Sequence, residues 1–438
     1  MRHHLLSHGL TPISEDHQSD VVVLNTCTVT AAADAQAREA VRKIHRANPS
    51  TRIVVTGCYA QRAPEEIAGL PGVSLVVGNS HQSEIADAIS IVFGQSNESS
   101  DSTGRDLVPL QGLQSGSMTL ARGPAKILTG DIFAQETIAL EPAQAMGGDR
   151  TRPILKIQDG CNNRCSYCVI PFVRGKSRSL PPDIVISEVG ALVAAGAKEV
   201  VLSGINLGSY GRDLLPRVEF ATLLSRLLRE ADIEQIRLSS IEPQDITEDF
   251  VTLAASSDRI AAHFHVPLQS GSNRILRAMH RWYRAEHYAE RIRLIRALMP
   301  NAGIGADVIV GFPGETDRDF EETVALVEML PFSYLHVFSF SPRPGTKAEK
   351  FTTEVPSAIV RERARALRAL STMKAAEFWT SQAGQSMRAL TLHKRGSDWT
   401  EALTGNYLKI RIAGQLPANN WRHIRLPGYA NEIAGTGA

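Results

Sequence analysis

Three cysteines crowd into one short stretch, Gly160-Cys161-Asn162-Asn163-Arg164-Cys165-Ser166-Tyr167-Cys168. The stretch follows an extended, alternating segment from Ile154 to Gln158 and precedes Val169-Ile170-Pro171-Phe172, so a single loop at a strand end must carry all three thiols. Asn162, Asn163 and Arg164 make that loop a poor place to bury three unreactive cysteines. Three thiolates so close can hold three corners of a cubane iron–sulfur cluster and leave its fourth iron free to chelate a small molecule. Structural zinc is the competing reading, but closed zinc sites take four ligands, usually as two separated C-x2-C pairs. Four-cysteine clusters, in turn, leave no corner open.

The remaining two cysteines are Cys27 and Cys58. An odd count with one tight triplet argues against a disulfide framework and for a reducing compartment. The first residues lack the apolar core of a signal peptide, and no apolar run reaches membrane-spanning length. The expectation is a cytoplasmic protein with no membrane partner. A chain of 438 residues exceeds one simple core and implies about two to three domains. Its net charge of +1 conceals two basic stretches. Seven Lys or Arg stand against Asp159 alone between Arg150 and Arg178, and seven against Asp398 and Glu401 between Ser386 and Leu426. Each is either a local footprint for a polyanion or a solvated face.

In chain order, Val21-Val22-Val23-Leu24 is an apolar run of the kind buried on both faces of a parallel sheet. An alanine-rich helix follows, with Ala33, Ala37, Ala40, Val41 and Ile44 on one face. Ile53-Val54-Val55, a helix near Pro64-Glu65-Glu66-Ile67, and Leu75-Val76-Val77-Gly78 continue a β-α-β-α-β order, which predicts a small parallel sheet. Ligands sit beyond the carboxyl ends of such strands, where Cys27 and Cys58 both fall. Residues 95–150 read as a linker with some extended pairing near Ala125–Leu128. Strands are then predicted at Ile154–Ile157, Glu199–Leu202, Ile236–Leu238, His263–Val266, Gly305–Val310 and Tyr334–Phe338, with helices between them. That alternation predicts a partial (β/α) barrel with its chemistry at the strand C-termini. A charged helix from Pro356 to Phe378 leads into short strands with glycine-rich turns, the pattern of a small β-barrel.

The loop from Gly160 to Cys168 resembles the signature of radical S-adenosylmethionine (SAM) enzymes, and the longer string to Arg174 resembles their methylthiotransferase branch. The resemblance implies that Cys161, Cys165 and Cys168 hold a [4Fe–4S] cluster whose open iron binds SAM, with Tyr167 beside the adenine. It places Ser203 and Asn206 near the methionyl amine, Glu242 near the ribose, Gln269 near the carboxylate or sugar, and Val310 and Gly311 near adenine. Each of these residues could instead cap a helix or satisfy a turn. Asn25-Thr26-Cys27-Thr28-Val29-Thr30 and Thr56-Gly57-Cys58-Tyr59-Ala60 resemble the second and third ligand motifs of the branch's auxiliary [4Fe–4S] cluster. Its first motif, a Gly-Cys after an opening strand, has no counterpart in this sequence. The expectation is that the stated start lies inside the true reading frame, a genuine truncation or a partner-supplied ligand being the alternatives. Buried strand-end cysteines are the plain reading of Cys27 and Cys58.

The implied fold class is α/β. It comprises a methylthiotransferase N-terminal domain with a small parallel sheet at 1–94, a linker at 95–150, a partial (β/α)6 radical SAM barrel at 151–383 and a tail at 384–438. The tail resembles a TRAM domain, an RNA-binding β-barrel. Lys394, Arg395, Lys409, Arg411, Arg422 and Arg425 could there contact phosphates, and Trp399, Tyr407 and Trp421 could stack on bases or serve as core. The motif around Cys27 looks most like the enzymes that add a methylthio group to C2 of N6-threonylcarbamoyladenosine, at position 37 beside the tRNA anticodon. The expected partners are a tRNA anticodon stem-loop and an electron donor such as flavodoxin or ferredoxin. Action on isopentenyladenosine tRNA or ribosomal protein S12, and a truncated RNA-binding protein without full activity, are the alternatives.

Overall fold

The computed structural model describes residues 2–13, 19–94, 119–120, 125–139, 151–396 and 398–428. The opening apolar runs form β1 (Val21–Thr26), β2 (Arg52–Gly57) and β3 (Val73–Gly78), which pair in parallel, with Thr26 opposite Gly57 and Gly57 opposite Gly78. Ile53, Val54 and Val55 have almost no exposure, which is why this strand shows no polar alternation. The crossover helix Ala31–Ala47 is capped by Thr30, whose side chain accepts from the Ala33 N–H. It lays Ala37, Val41 and Ile44 on the sheet. The stretch read as a linker contributes β4 (Thr119–Leu120) and β5 (Lys126–Leu128), giving a sheet in the order β1-β2-β3-β5-β4. Much of the rest of 95–150 lies outside the described residues.

The second alternation begins at β6 (Ile154–Lys156), followed by a two-stranded ribbon of β7 (Gln158–Asp159) and β8 (Arg178–Ser179). It continues through β9 (Glu199–Ser203), β10 (Gln235–Leu238), β11 (His263–His265), β12 (Gly303–Val310) and β13 (Tyr334–Ser339). The sets β6-β9-β10 and β11-β12-β13 are parallel, and the bridges Ile236–Ile260 and Ser240–His265 join them. The product is a six-stranded arc, a partial (β/α)6 barrel with a gap between its end strands β6 and β13. One continuous apolar core runs between the arc and its outer helices.

Each end of the arc is covered. At the strand C-termini, the Ser341 hydroxyl accepts from the Ala31 N–H at 2.8 Å. Beside it, the Arg343 guanidinium pairs with Asp34 and reaches Thr28 Oγ1 at 2.9 Å. At the strand N-termini lies a curled antiparallel half-barrel reached through the long helix Ser357–Gln382. It consists of β14 (Ser386–Arg395), β15 (Trp399–Thr404), β16 (Lys409–Ala413) and β17 (Trp421–Arg425) in the order β16-β15-β14-β17. Arg237 ties it on by donating to the Thr404 and Gly405 carbonyls at 3.0 Å each. No helix among the described residues is long and apolar enough to cross a membrane.

Candidate active site

The cysteine loop is held by its neighbours at every turn. Gly160 has φ 71°, and a Cβ there would collide with the Lys176 carbonyl, so the turn into the loop requires glycine. Gln158 is the hub beneath it. Its Nε2 donates to the carbonyls of Asp159 at 3.1 Å and Gly160 at 2.8 Å and to Ser177 Oγ at 2.9 Å, while its Oε1 accepts from the Asn206 N–H at 2.9 Å. On the far side, Ser166 donates to the carbonyls of Met279 at 3.0 Å and Ala278 at 2.8 Å. Cys161, Cys165 and Cys168 are all partly exposed at the C-terminal end of the arc.

Burial pushes the Cys161 thiol up and the Cys168 thiol up to about 12. A bound cation that takes thiolates as ligands would reverse that cost. Among the described residues one side chain donates to the trio, Arg281, whose Nη1 stands 3.3 Å from Cys165 Sγ. Arg281 is itself paired with Glu242. Burial raises the Glu242 carboxyl, against the pull of Arg281. The guanidinium is held in its charged form: burial opposes it, but Tyr283, Glu242 and the Cys165 thiol outweigh that.

The other residues singled out in the sequence gather at this same end. Asn206 is buried with its Oδ1 lacking a partner, an acceptor suited to an ammonium donor. The Ser203 carbonyl accepts from the Ile157 N–H at 2.9 Å. Gln269 takes a left-handed φ of 67°, fixed because its N–H donates to the Asp307 carbonyl at 2.8 Å and its own carbonyl accepts from Ile309 at 2.9 Å. Such strain in a non-glycine residue persists where surroundings over-determine it. Gly311 follows Val310 with φ 73° and donates to Glu315 Oε2 at 2.8 Å, a carboxylate that Arg363 holds at 2.7 Å. Tyr167 meets Phe312, the residue after Gly311, edge-on at 6.5 Å and packs on the apolar cluster of Ile275, Met279 and Ala348. The donor set fits SAM and an iron–sulfur cluster: three thiols on one loop and an orphaned buried acceptor at Asn206 Oδ1.

Cys27 and Cys58 each follow a residue of the Thr26–Gly57 pair, so the register makes them neighbours. Cys27 is exposed and Cys58 buried. The helix Ile170–Arg174, which runs directly out of the triplet loop, packs Val169 and Val173 against Cys58. Arg174 Nε stands 3.2 Å from Cys58 Sγ, and its Nη1 lies 3.5 Å from Asp159 beside the loop's first glycine. Burial disfavours the Arg174 charge, but Cys58, Asp159 and Cys27 more than offset this. The two cysteine sites thus share one wall.

Sequence reading passed over Arg281, Arg174, Gln158 and Asp34. Only Gln158 and Arg174 carried a signal, by flanking the triplet. Of the basic residues assigned to RNA, Lys409, Arg411, Arg422 and Arg425 are exposed, whereas the side chains of Lys394 and Arg395 lie outside the described residues. Arg411 lies over the Trp399 ring and Arg388 over Trp421, both at 4.4 Å. Tyr407 is engaged elsewhere, stacked on His263 with ring centroids 4.2 Å apart. Inside the arc, a cavity of about 740 Å³ is lined from both β6 and β13.

The Radical SAM superfamily model matches residues 155–327, and that of the uncharacterized protein family UPF0004 matches residues 1–78. The chain is 37% identical to the threonylcarbamoyladenosine tRNA methylthiotransferase MtaB of Aquifex aeolicus, over 94% of its own length and 92% of that protein. It is 37% identical to the protein of that name from Bacillus subtilis, over 91% of its length and 83% of that protein. To the tRNA-2-methylthio-N(6)-dimethylallyladenosine synthase of Moorella thermoacetica it is 34% identical, over 82% of its length and 76% of that protein. Among solved structures it is similar to the radical SAM methyltransferase TsrM from Kitasatospora setae, with a TM-score of 0.53, 17% identity, and coverage of 76% of this chain and 66% of that one. This last likeness shows the fold alone.

Proposed function

The chain belongs to the radical SAM methylthiotransferase family, and from that premise we propose that it inserts a methylthio group at C2 of N6-threonylcarbamoyladenosine at position 37 of tRNA. The reading is supported first by relatives at 37% identity that carry that activity in their names. The structural observation that carries it is the helix Ile170–Arg174, which leaves the triplet loop and ends with Arg174 on Cys58. Chemistry started at one cysteine site is thereby within reach of a group held at the other.

In this account Cys161, Cys165 and Cys168 hold a [4Fe–4S] cluster, and Cys27 and Cys58 supply two ligands of a second. When bound, cluster and SAM supply the 5′-deoxyadenosyl radical that removes the adenine C2 hydrogen, which no side-chain base can take at neutral pH. The chain's own residues position and enclose. Gln158 sets the triplet loop against Asn206, whose free Oδ1 accepts from the methionyl amine. Arg281 keeps a positive charge at Cys165, and Glu242 keeps Arg281 in place. Tyr167, Val310 and Gly311 lie on the adenine side, Ser203 stands with Asn206 near the methionyl amine, and Gln269 near the carboxylate or sugar. The N-terminal domain covers the strand C-termini and holds Cys27 and Cys58 against the triplet loop's helix. Lys409, Arg411, Arg422 and Arg425 meet the tRNA backbone, and a small reductant protein supplies electrons.

The test is anaerobic reconstitution with iron and sulfide, then incubation with SAM, reductant and tRNA carrying threonylcarbamoyladenosine, followed by nucleoside mass spectrometry. The expected product is the 2-methylthio derivative. Methylthiolation of isopentenyladenosine tRNA in its place would refute the substrate assignment.

A further inference from the structure

The cavity inside the arc runs from Ser240, two residues short of Glu242, down to Tyr407 at the half-barrel. Its open side is the gap between β6 and β13. A hydrogen-bonded triad stands on its wall. Asp307 Oδ1 meets His265 Nε2 at 3.0 Å and His336 Nδ1 at 3.2 Å, and Ser240 Oγ engages the other nitrogen of His265 at 2.6 Å. Ligand atoms of the three lie within 4.8 Å of one another, close enough for a metal ion. Both nitrogens of His265 are already engaged, however, so the cluster is satisfied as a hydrogen-bonded set. The second nitrogen of His336, whose side chain is 55% exposed, and the outer oxygen of Asp307 carry no hydrogen bond within this set, and both residues line the cavity. Across the gap, Arg152 spends one nitrogen on Glu199 at 3.2 Å and keeps 24% of its side chain exposed.

A planar base inserted with C2 toward the cysteine end places its N6 substituent in this same space. A prenyl group could return no hydrogen bond to His336, Asp307 or Arg152. A threonylcarbamoyl group offers a carboxylate, a hydroxyl and ureido N–H groups. We propose that Arg152 and His336, the latter as an imidazolium donating from both ring nitrogens, bind the carboxylate of the N6 substituent from opposite edges of the gap, while Asp307 accepts from its hydroxyl or ureido N–H. This rests on the threonylcarbamoyladenosine reading and assigns its specificity to named residues. His265 is then a positioning residue, acting through Asp307.

The test uses the reconstituted full chain and three anticodon stem-loop RNAs, bearing threonylcarbamoyladenosine, unmodified adenosine or isopentenyladenosine at position 37. Affinities are measured by fluorescence anisotropy for wild type, His336→Ala, His336→Gln and Arg152→Ala. Wild type should prefer the threonylcarbamoyl RNA, and each alanine variant should lose about 10- to 100-fold of that preference, the loss expected when polar partners are removed. His336→Gln, which keeps a hydrogen-bonding head, should recover part of it. The readout is a ratio between RNAs, so partial misfolding cancels, and Arg152→Ala, in the segment before β6, guards against failure of the His336 variants to fold. A wild type that discriminates, with variants that discriminate equally, overturns the receptor alone. A wild type with no preference overturns both the receptor and the substrate reading.

Discussion

Replacing Arg343 by alanine should uncouple the two halves of the reaction. Its guanidinium, 3% exposed, reaches from the loop after β13 to Asp34 in the helix Ala31–Ala47 and to Thr28 in the loop after β1. Stranding a buried charge costs about 3–5 kcal/mol, but Arg62 stays 2.9 Å from Asp34 in the variant's starting geometry. The loss is therefore nearer that of one charged hydrogen bond, about 2 kcal/mol. Placed on docking of the N-terminal sheet against the arc, about 2 kcal/mol lowers the docked-to-undocked ratio about 30-fold. In the proposed account SAM cleavage draws on the triplet loop and other groups of the arc, whereas methylthio transfer also needs Cys27 and Cys58 held beside Arg174. Liquid chromatography with mass detection should thus show 5′-deoxyadenosine still formed while the methylthiolated nucleoside falls steeply. Hydrogen exchange should quicken around Thr28 and Asp34 and stay slow in β9 to β12. A proportional fall of both products, or unchanged exchange with an unchanged product ratio, would refute the reasoning.

Arg281→Met strands Glu242, whose side chain is 15% exposed, so urea unfolding should show a loss of about 3–5 kcal/mol. Adding Glu242→Gln should restore part of it; independent effects of the two changes would contradict the pairing. Gly160→Ala should cost at least about 1–3 kcal/mol, because its left-handed backbone is joined by a collision of the new Cβ with the Lys176 carbonyl, and should lower the iron bound per chain. Gly190→Ala, in a helix with open space around it, should not. Asp307 gives a pH signature. Burial opposes its charge, but hydrogen bonds from His265 and His336 more than offset that and hold its carboxyl at about 2, below the ordinary 3.8. A depressed carboxyl contributes stability above the ordinary value, and that stability is lost as pH falls from about 4 through about 2. Asp307→Asn should therefore flatten the acid limb of a stability–pH curve in that window, by about 2 kcal/mol at most; an unchanged limb would contradict the assignment.

The strands of the arc were legible because each is a short apolar run between turn residues: Glu199–Ser203 and Tyr334–Ser339 differ by one residue from their sequence bounds. The triplet was legible because its chemistry is written in consecutive residues. β5 was harder, since three residues in a polar surround carry little periodicity, although Ala125–Leu128 did stand out as extended. Arg281 was invisible for a different reason. Its partners Glu242 and Cys165 lie 39 and 116 residues away, and nothing local to an Arg on a polar turn announces a buried ion pair. Tyr407 illustrates the same limit: an aromatic beside basic strands could stack on bases or serve as core, and nothing local shows that its ring is taken by His263 across the domain junction. The polar character of the cavity could not be read at all, because Asp307 and His336 sit in runs that otherwise look like core strands.

The most direct check of the account is the yield of 5′-deoxyadenosine from SAM by the anaerobically reconstituted, reduced protein, beside its Cys165→Ala variant. The account predicts a brown wild-type protein that releases 5′-deoxyadenosine and a variant that releases none. A colourless protein that holds zinc in place of iron, or a variant as active as wild type, would contradict it.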